Sequence, residues 1–200
     1  MSAKYKKPKL TVELIPKTCY FSNIRTTVKS KEWDKIRFIS YELANNKCQI
    51  CGSTGKKQGY KHNVECHEIW FYDDETHVQK LIGLISLCVL CHQVKHIGRA
   101  MAIGKQTQCF AHLSKVNKWT KEQIDEHLLE SFELNKERSK YDWELDLSIL
   151  NDEPYNLKIN TEKKRIFKVK KYKKKRRKKK TTLNKKPPKK ISNKRPPKTK

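Results

Sequence analysis

No apolar run in this 200-residue chain approaches the roughly 18 residues needed to span a bilayer. Its Lys-rich start is not followed by the apolar core of a signal peptide, so a soluble, unsecreted protein with no membrane partner is expected. Nor is there an internal repeat of solenoid length. Acidic residues are also scarce: 21 Asp and Glu face 47 Lys and Arg, a formal net charge of +26. The shortage is concentrated at one end. Residues 158–200 hold 23 Lys and Arg and one acid, Glu162, for a net +22, whereas residues 1–157 hold 24 basic and 20 acidic residues, for +4. A segment so poor in apolar side chains and so rich in like charge cannot offset the conformational entropy lost on ordering. Residues 158–200 are therefore expected to form a disordered basic tail, and the folding unit to lie within the first 157.

What the chain does have is cysteine and histidine. Its seven cysteines are an odd number, and four of them form two C-x2-C pairs, Cys48-Gln-Ile-Cys51 and Cys88-Val-Leu-Cys91. Paired knuckles of this spacing suit tetrahedral ligation of Zn²⁺ by four thiolates better than a disulfide framework. Metal ligation also implies a reducing, intracellular compartment: cytoplasm or nucleoid, or the nucleus of a eukaryotic host. A shell of four cysteines is closed and leaves no position for a substrate, so this zinc is structural. Any chemistry must lie elsewhere.

Composition and hydrophobic spacing divide the chain into an N-terminal flank (1–45), a cysteine- and histidine-rich core (46–105), a helical flank (106–157) and the tail (158–200). Residues 11–17 (TVELIPK) read as a short strand stopped by Pro16. Residues 30–45 read as an amphipathic helix with Ser30 as N-cap, and residues 118–140 as a second helix capped by Thr120. Residues 142–150 (DWELDLSIL) suit a closing strand or turn. In the core, residues 64–70 (VECHEIW) alternate as a strand, residues 84–87 lead a second strand into the second knuckle, and residues 91–102 read as one helix. His92 and His96 are four apart and project from one helical face, which is how a helix supplies two metal ligands.

A strand carrying Cys66-His67, a second strand, and a C-x2-C running directly into a helix with His92 and His96 resemble the HNH, or ββα-metal, endonuclease family in its zinc-ribbon-supported form. The likeness covers residues 46–104, about a third of the chain, and CHEIWFYDD and CHQVKHIGRA resemble an HNH group found in phage and bacterial genomes. It implies a small α+β protein: a zinc-stabilised ββα-metal core with flanking helices. It further implies metal-dependent hydrolysis of DNA phosphodiester bonds, leaving 5′-phosphate and 3′-hydroxyl ends. His67 resembles the general base that activates water. Cys66, His92 and His96 resemble the shell of a divalent catalytic metal: Mg²⁺, Mn²⁺, Ni²⁺ or Zn²⁺.

Two positions depart from the family pattern. Cys66 stands where Asp or His is usual, and a thiolate there favours a softer ion than Mg²⁺. Gly83 stands where the Asn that helps orient the base is usual, leaving Asp73, Asp74 or Asn63 to take that role; Glu65 or Glu68 can also reach toward a metal. The competing expectation is a non-catalytic zinc module that binds or packages DNA through its tail.

Lys95 and Arg99, one turn apart, are candidate phosphate contacts. So is the run Lys173, Lys174, Lys175, Arg176, Arg177, Lys178, Lys179 and Lys180, which would attract DNA or RNA through phosphate neutralisation and also resembles a nuclear-localisation signal. The abundance of Lys, Asn and Ile points to an AT-rich genome, such as that of a virus. A dimer of such a nuclease would cut both strands where a monomer nicks.

Overall fold

The computed structural model describes residues 9–159, so the basic run Lys173–Lys180 and the expected disorder of the tail lie outside the described residues. The order of elements is α1 (Ile24–Thr27), α2 (Ser30–Leu43), β1 (Glu65–Asp73), β2 (Val78–Leu87), α3 (Val89–Lys95), α4 (Ile97–Ala102), α5 (Gln106–Asn117), α6 (Lys121–Arg138) and β3 (Glu144–Asp146), with short 3-10 turns between. The class is α+β, as expected.

β1 and β2 form an antiparallel hairpin in which His67 lies opposite Ile85 and Cys66 opposite Ser86. The tight turn between them is held by the Asp73 carboxylate, which accepts from the backbone N–H of Glu75 and Thr76. A bulge sets Ile69 opposite Gly83 and Trp70 opposite Leu81, so Ile82 is the extra residue. Residues 142–150 close the sheet as expected: β3 adds in parallel beside the start of β2, and Ser148–Asn151 follows as a 3-10 turn.

Residues 11–17 do not become a strand. The segment is extended, but its polar groups go to helices: the Glu13 N–H donates to the Lys95 carbonyl at 2.9 Å, and the Asn117 side chain bonds the backbone on both sides of Leu10. Leu10 and Val12 are buried, so this strap is part of the core. The same contact accounts for a second difference. The helix expected over 91–102 breaks at His96 (φ −100°, ψ 46°), because the Lys95 carbonyl that Arg99 would use is taken by Glu13; the Arg99 N–H turns to the His96 carbonyl at 3.0 Å.

The two flanking helices form, with a shift of cap in the first. Lys29, not Ser30, precedes α2, and Glu32 accepts from the Lys29 N–H at 2.7 Å. Thr120 caps α6 through a reciprocal bond with Gln123, as the sequence indicates.

Two cores hold these elements. Leu10, Val12, Leu87, Val94, Ile97 and Leu113 join the strap, both knuckles and α3 to α6. Ile24, Ile36, Leu81, Leu147 and Leu150 join α1, α2, β2 and the closing segment. Residues from 9–45, 46–105 and 106–157 contribute to shared cores. No helix of the described residues is long and apolar enough to cross a membrane.

Candidate metal centres

The first knuckle is a tight loop: the Gly52 N–H, at φ +73°, returns to the Cys48 carbonyl at 2.8 Å, and Cys48 N–H donates to Ser53. Further along, Gly55 admits no side chain, because a Cβ there would strike the His62 carbonyl. Gln49 then clamps the knuckle to the end of β2, donating its N–H to the Ser86 carbonyl at 3.0 Å and accepting from the Ser86 N–H at 2.8 Å. The second knuckle sits where β2 turns into α3, with Cys88 preceding the first helical residue.

These two loops bring the Sγ atoms of Cys48, Cys51, Cys88 and Cys91 within 4.8 Å of one another, and none of the four is disulfide-bonded. Cys51 Sγ lies 3.5 Å from Cys88 Sγ, close to the ~3.8 Å edge of a tetrahedron with 2.3 Å Zn–S bonds. Hydrogen bonding among the four thiols pulls Cys48 and Cys88 down and pushes Cys51 and Cys91 up, as groups this close share their protons. Gln58 Nε2 donates to Cys88 Sγ at 3.1 Å, and His112 Nε2 lies 3.1 Å from Cys91 Sγ, both suited to thiolates. The four cysteines can thus hold a metal ion such as zinc.

The second centre lies where β1 crosses the junction of α3 and α4. His67 from the strand meets His92 and His96, with ring centroids 4.7–5.3 Å apart and one ring nitrogen from each within 4.8 Å of the others. His67 is 4% exposed. Burial lowers its pKa and takes that of His96 down to about 3, so both rings are neutral and have lone pairs to offer.

Two carboxylates decide which nitrogens those are. Glu13 on the strap accepts from His67 Nε2–H at 3.0 Å, leaving His67 Nδ1 buried without a hydrogen-bond partner among the described residues. Glu65, two residues before His67 and so on the same strand face, accepts from His92 Nδ1–H at 2.5 Å, leaving His92 Nε2 bare. Carboxylates behind imidazoles in this way fix the tautomers of metal-bound histidines. Burial alone would raise the Glu13 carboxyl, but His67 and the ammonium of Lys95, which also bonds it, hold it down at about 2. The chemistry of the donor set fits a divalent ion held by three imidazoles, with positions left open.

Several expected site residues stand elsewhere. Cys66 does not join the histidines: neighbouring strand residues face opposite ways, and it points toward Ser40 on α2, where burial raises its thiol to about 12 and keeps it protonated. Among the described residues the cluster contains His67, His92 and His96, without Cys66. Lys95 is not a phosphate contact either, because its buried ammonium bonds Thr11 Oγ1 at 3.0 Å and Glu13. Arg99 is exposed beside His96 and free of ion pairs among the described residues.

None of the three residues considered for orienting His67 does so. Asp73 closes the hairpin turn, Asp74 pairs with Arg138 at 2.7 Å, and Asn63 lies in the loop before β1 with its carbonyl accepting from Gly55. Glu68 faces away from the histidines and accepts from the Ile24 N–H at 3.2 Å. Glu13 is the partner that sequence spacing missed. It lies 54 positions from His67, with no motif to mark it.

No family model, no curated protein and no solved structure matches this chain.

Proposed function

We propose that the protein is a metal-dependent endonuclease of the HNH type, hydrolysing DNA phosphodiester bonds at the His67–His92–His96 centre and leaving 5′-phosphate and 3′-hydroxyl ends. The observation that carries this reading is the bare, buried Nδ1 of His67, turned toward two further imidazoles while Glu13 holds its Nε2–H. A merely structural histidine buried this deeply would have both nitrogens satisfied.

A bound ion would supply Lewis acidity toward the phosphate oxygens and the leaving 3′ oxygen. His67 Nδ1, His92 Nε2 and a nitrogen of His96 would hold it. Glu13 and Glu65 set the ring orientations, and the four-cysteine centre anchors the start of the helix that carries His92. Arg99, exposed next to His96, is placed to receive phosphate. The basic tail, on this reading, contributes sequence-independent attraction to nucleic acid.

A second role for His67 follows from the Glu13 hydrogen bond: an imidazole with one nitrogen tied to a carboxylate is also built to accept a proton at the other, as a general base does. Metal content separates the two. His67→Ala that loses one bound metal while keeping another makes His67 a ligand; retention of both with loss of cleavage makes it the base.

The test of the function is conversion of supercoiled plasmid to nicked or linear DNA with Mg²⁺, Mn²⁺, Ni²⁺ and Zn²⁺ supplied separately, beside His92→Ala. Cleavage by the parent alone supports the nuclease. Plasmid that is retarded but intact under every metal supports a zinc module that only binds DNA.

A further inference from the structure

An open groove of about 770 Å³ runs from His96 and Glu13 to the surface between the strap, α4 and α6. Three cations line it, Lys17, Arg99 and Lys136, all exposed, and none has an ion-pair partner among the described residues. Two aromatic rings line it as well: Tyr20, 57% exposed, and Phe132, 40% exposed. Its one acid, Glu13, is already neutralised by Lys95.

The groove deepens into a recess of about 180 Å³ that shares Glu13, Leu14, Ile15, His96 and Asn135 with it. The recess is lined by Trp70 and Leu134, by His67 and Glu68, the latter accepting from the Ile24 N–H, and by Tyr72 and Asn135, whose buried Oη and Nδ2 have no hydrogen-bond partner among the described residues. Buried polar atoms are nearly always satisfied, so a rotation of either side chain that turns its orphan atom into the recess gains a partner there. The Arg138 guanidinium at its edge is committed to Asp74, so the recess offers hydrogen bonds without a free cation. That environment suits a flat, neutral ring bearing acceptor atoms and is poor for a phosphate.

We infer that the groove and recess together bind single-stranded or locally unpaired nucleic acid, with phosphates on Lys17, Arg99 and Lys136, one base against Tyr20 or Phe132, and a neighbouring base in the recess beside the histidine centre. This inference rests on the nuclease reading in taking nucleic acid as the ligand. Exposed rings among cations are how strand-binding proteins hold unpaired bases, whose faces are free to stack; the bases of an intact duplex are paired and stacked on one another and cannot reach into a side pocket. Solvent alone would fill the recess with roughly six waters at ~30 Å³ each. Crosslinking separates solvent from a base.

The experiment uses the full chain carrying His92→Ala, which keeps the strand intact, with a single-stranded oligonucleotide containing 4-thiothymidine, irradiated and mapped by mass spectrometry. Adducts on Tyr20, Phe132 or Tyr72 are expected from the single strand, and none there from the matching duplex. The further pair Lys17→Glu and Arg99→Glu, both exposed and harmless to the cores, should lower those adducts at least tenfold. Adducts confined to residues 160–200, groove adducts of equal yield from the duplex, or groove adducts indifferent to the charge reversals would each overturn the inference. Because the readout is binding in a variant without His92, it stands apart from catalysis. Groove adducts with an inactive parent would overturn the nuclease reading alone, and cleavage without groove adducts would overturn this inference alone.

Discussion

The two candidate metal centres of this molecule share α3 and are built on opposite plans. The cysteine centre draws four like groups from the loop at Cys48–Cys51 and the start of α3, and would close completely around an ion. The histidine centre draws three imidazoles from a strand and a broken helix, would leave positions open on an ion, and has behind it a carboxylate that the chain supplies 54 residues earlier. The first plan gives stability that local sequence can specify. The second gives an open coordination sphere, and its precision has to come from elements that the core brings together.

The largest effect that would sharpen this contrast is expected at the cysteines. Cys88→Ser should abolish metal binding there and cooperative folding with it, since structural zinc contributes on the order of 10 kcal/mol, comparable with the whole stability of a small domain. A thermal melt like that of the parent would remove the structural role. His92→Ala should do the reverse. Cleavage is expected to fall beyond about 100-fold, as for loss of a group essential to the transition state, with one equivalent of zinc retained and a cooperative melt.

Glu13→Gln probes the long-range partner. The imidazole it orients stays in place but loses its charged acceptor, so affinity at the histidine centre should drop by about 10–100-fold, measured by competition with a chromophoric chelator, while the cysteine centre is unaffected. Equal loss at both centres would show that Glu13 acts through global stability.

Acid should also distinguish the two plans. His96 is neutral in the fold, its pKa lowered to about 3 by burial, against an ordinary 6.5 when unfolded. Between those values the unfolded chain binds the additional proton, so its contribution to stability is complete above pH 6.5 and is lost as pH falls toward 3. With the histidine centre metal-free, the melting temperature should decline over that window, and His96→Asn should flatten the decline relative to the parent. A smaller effect is expected far from both centres: Thr120→Ala removes the α6 cap at a cost of about 1 kcal/mol, with metal content at both centres unchanged.

The legible parts share a feature. Thr120 with Gln123, the two knuckles, and the alternation of residues 64–70 are patterns in which the interacting groups lie within a few positions, so spacing reports geometry directly. The misread parts depend on distant partners. Residues 11–17 have the composition of a strand, but Lys95 and His127 take their hydrogen bonds. Residues 91–102 have helical spacing throughout, yet the strap takes one carbonyl and the helix breaks at His96. Histidines outside the His67–His92–His96 group also gain partners through the same packing: His112 approaches Cys91 Sγ, His62 pairs with Glu65, and His127 accepts from the Val12 N–H at 2.9 Å.

The sequence by itself determined the cysteine centre, the strand–strand–helix order around it and the segregation of positive charge, because each rests on residue type and short-range periodicity. Only the tertiary structure decided that Cys66 faces away from the histidines, that His67 joins His92 and His96, that Lys95 is buried against Glu13, and that Glu13 is the carboxylate behind His67. A strand fixes alternate faces but not which element will cover each. That choice belongs to the packing of Leu10, Val12, Val94 and Ile97, which draws the strap across α3 and carries Glu13 to the site.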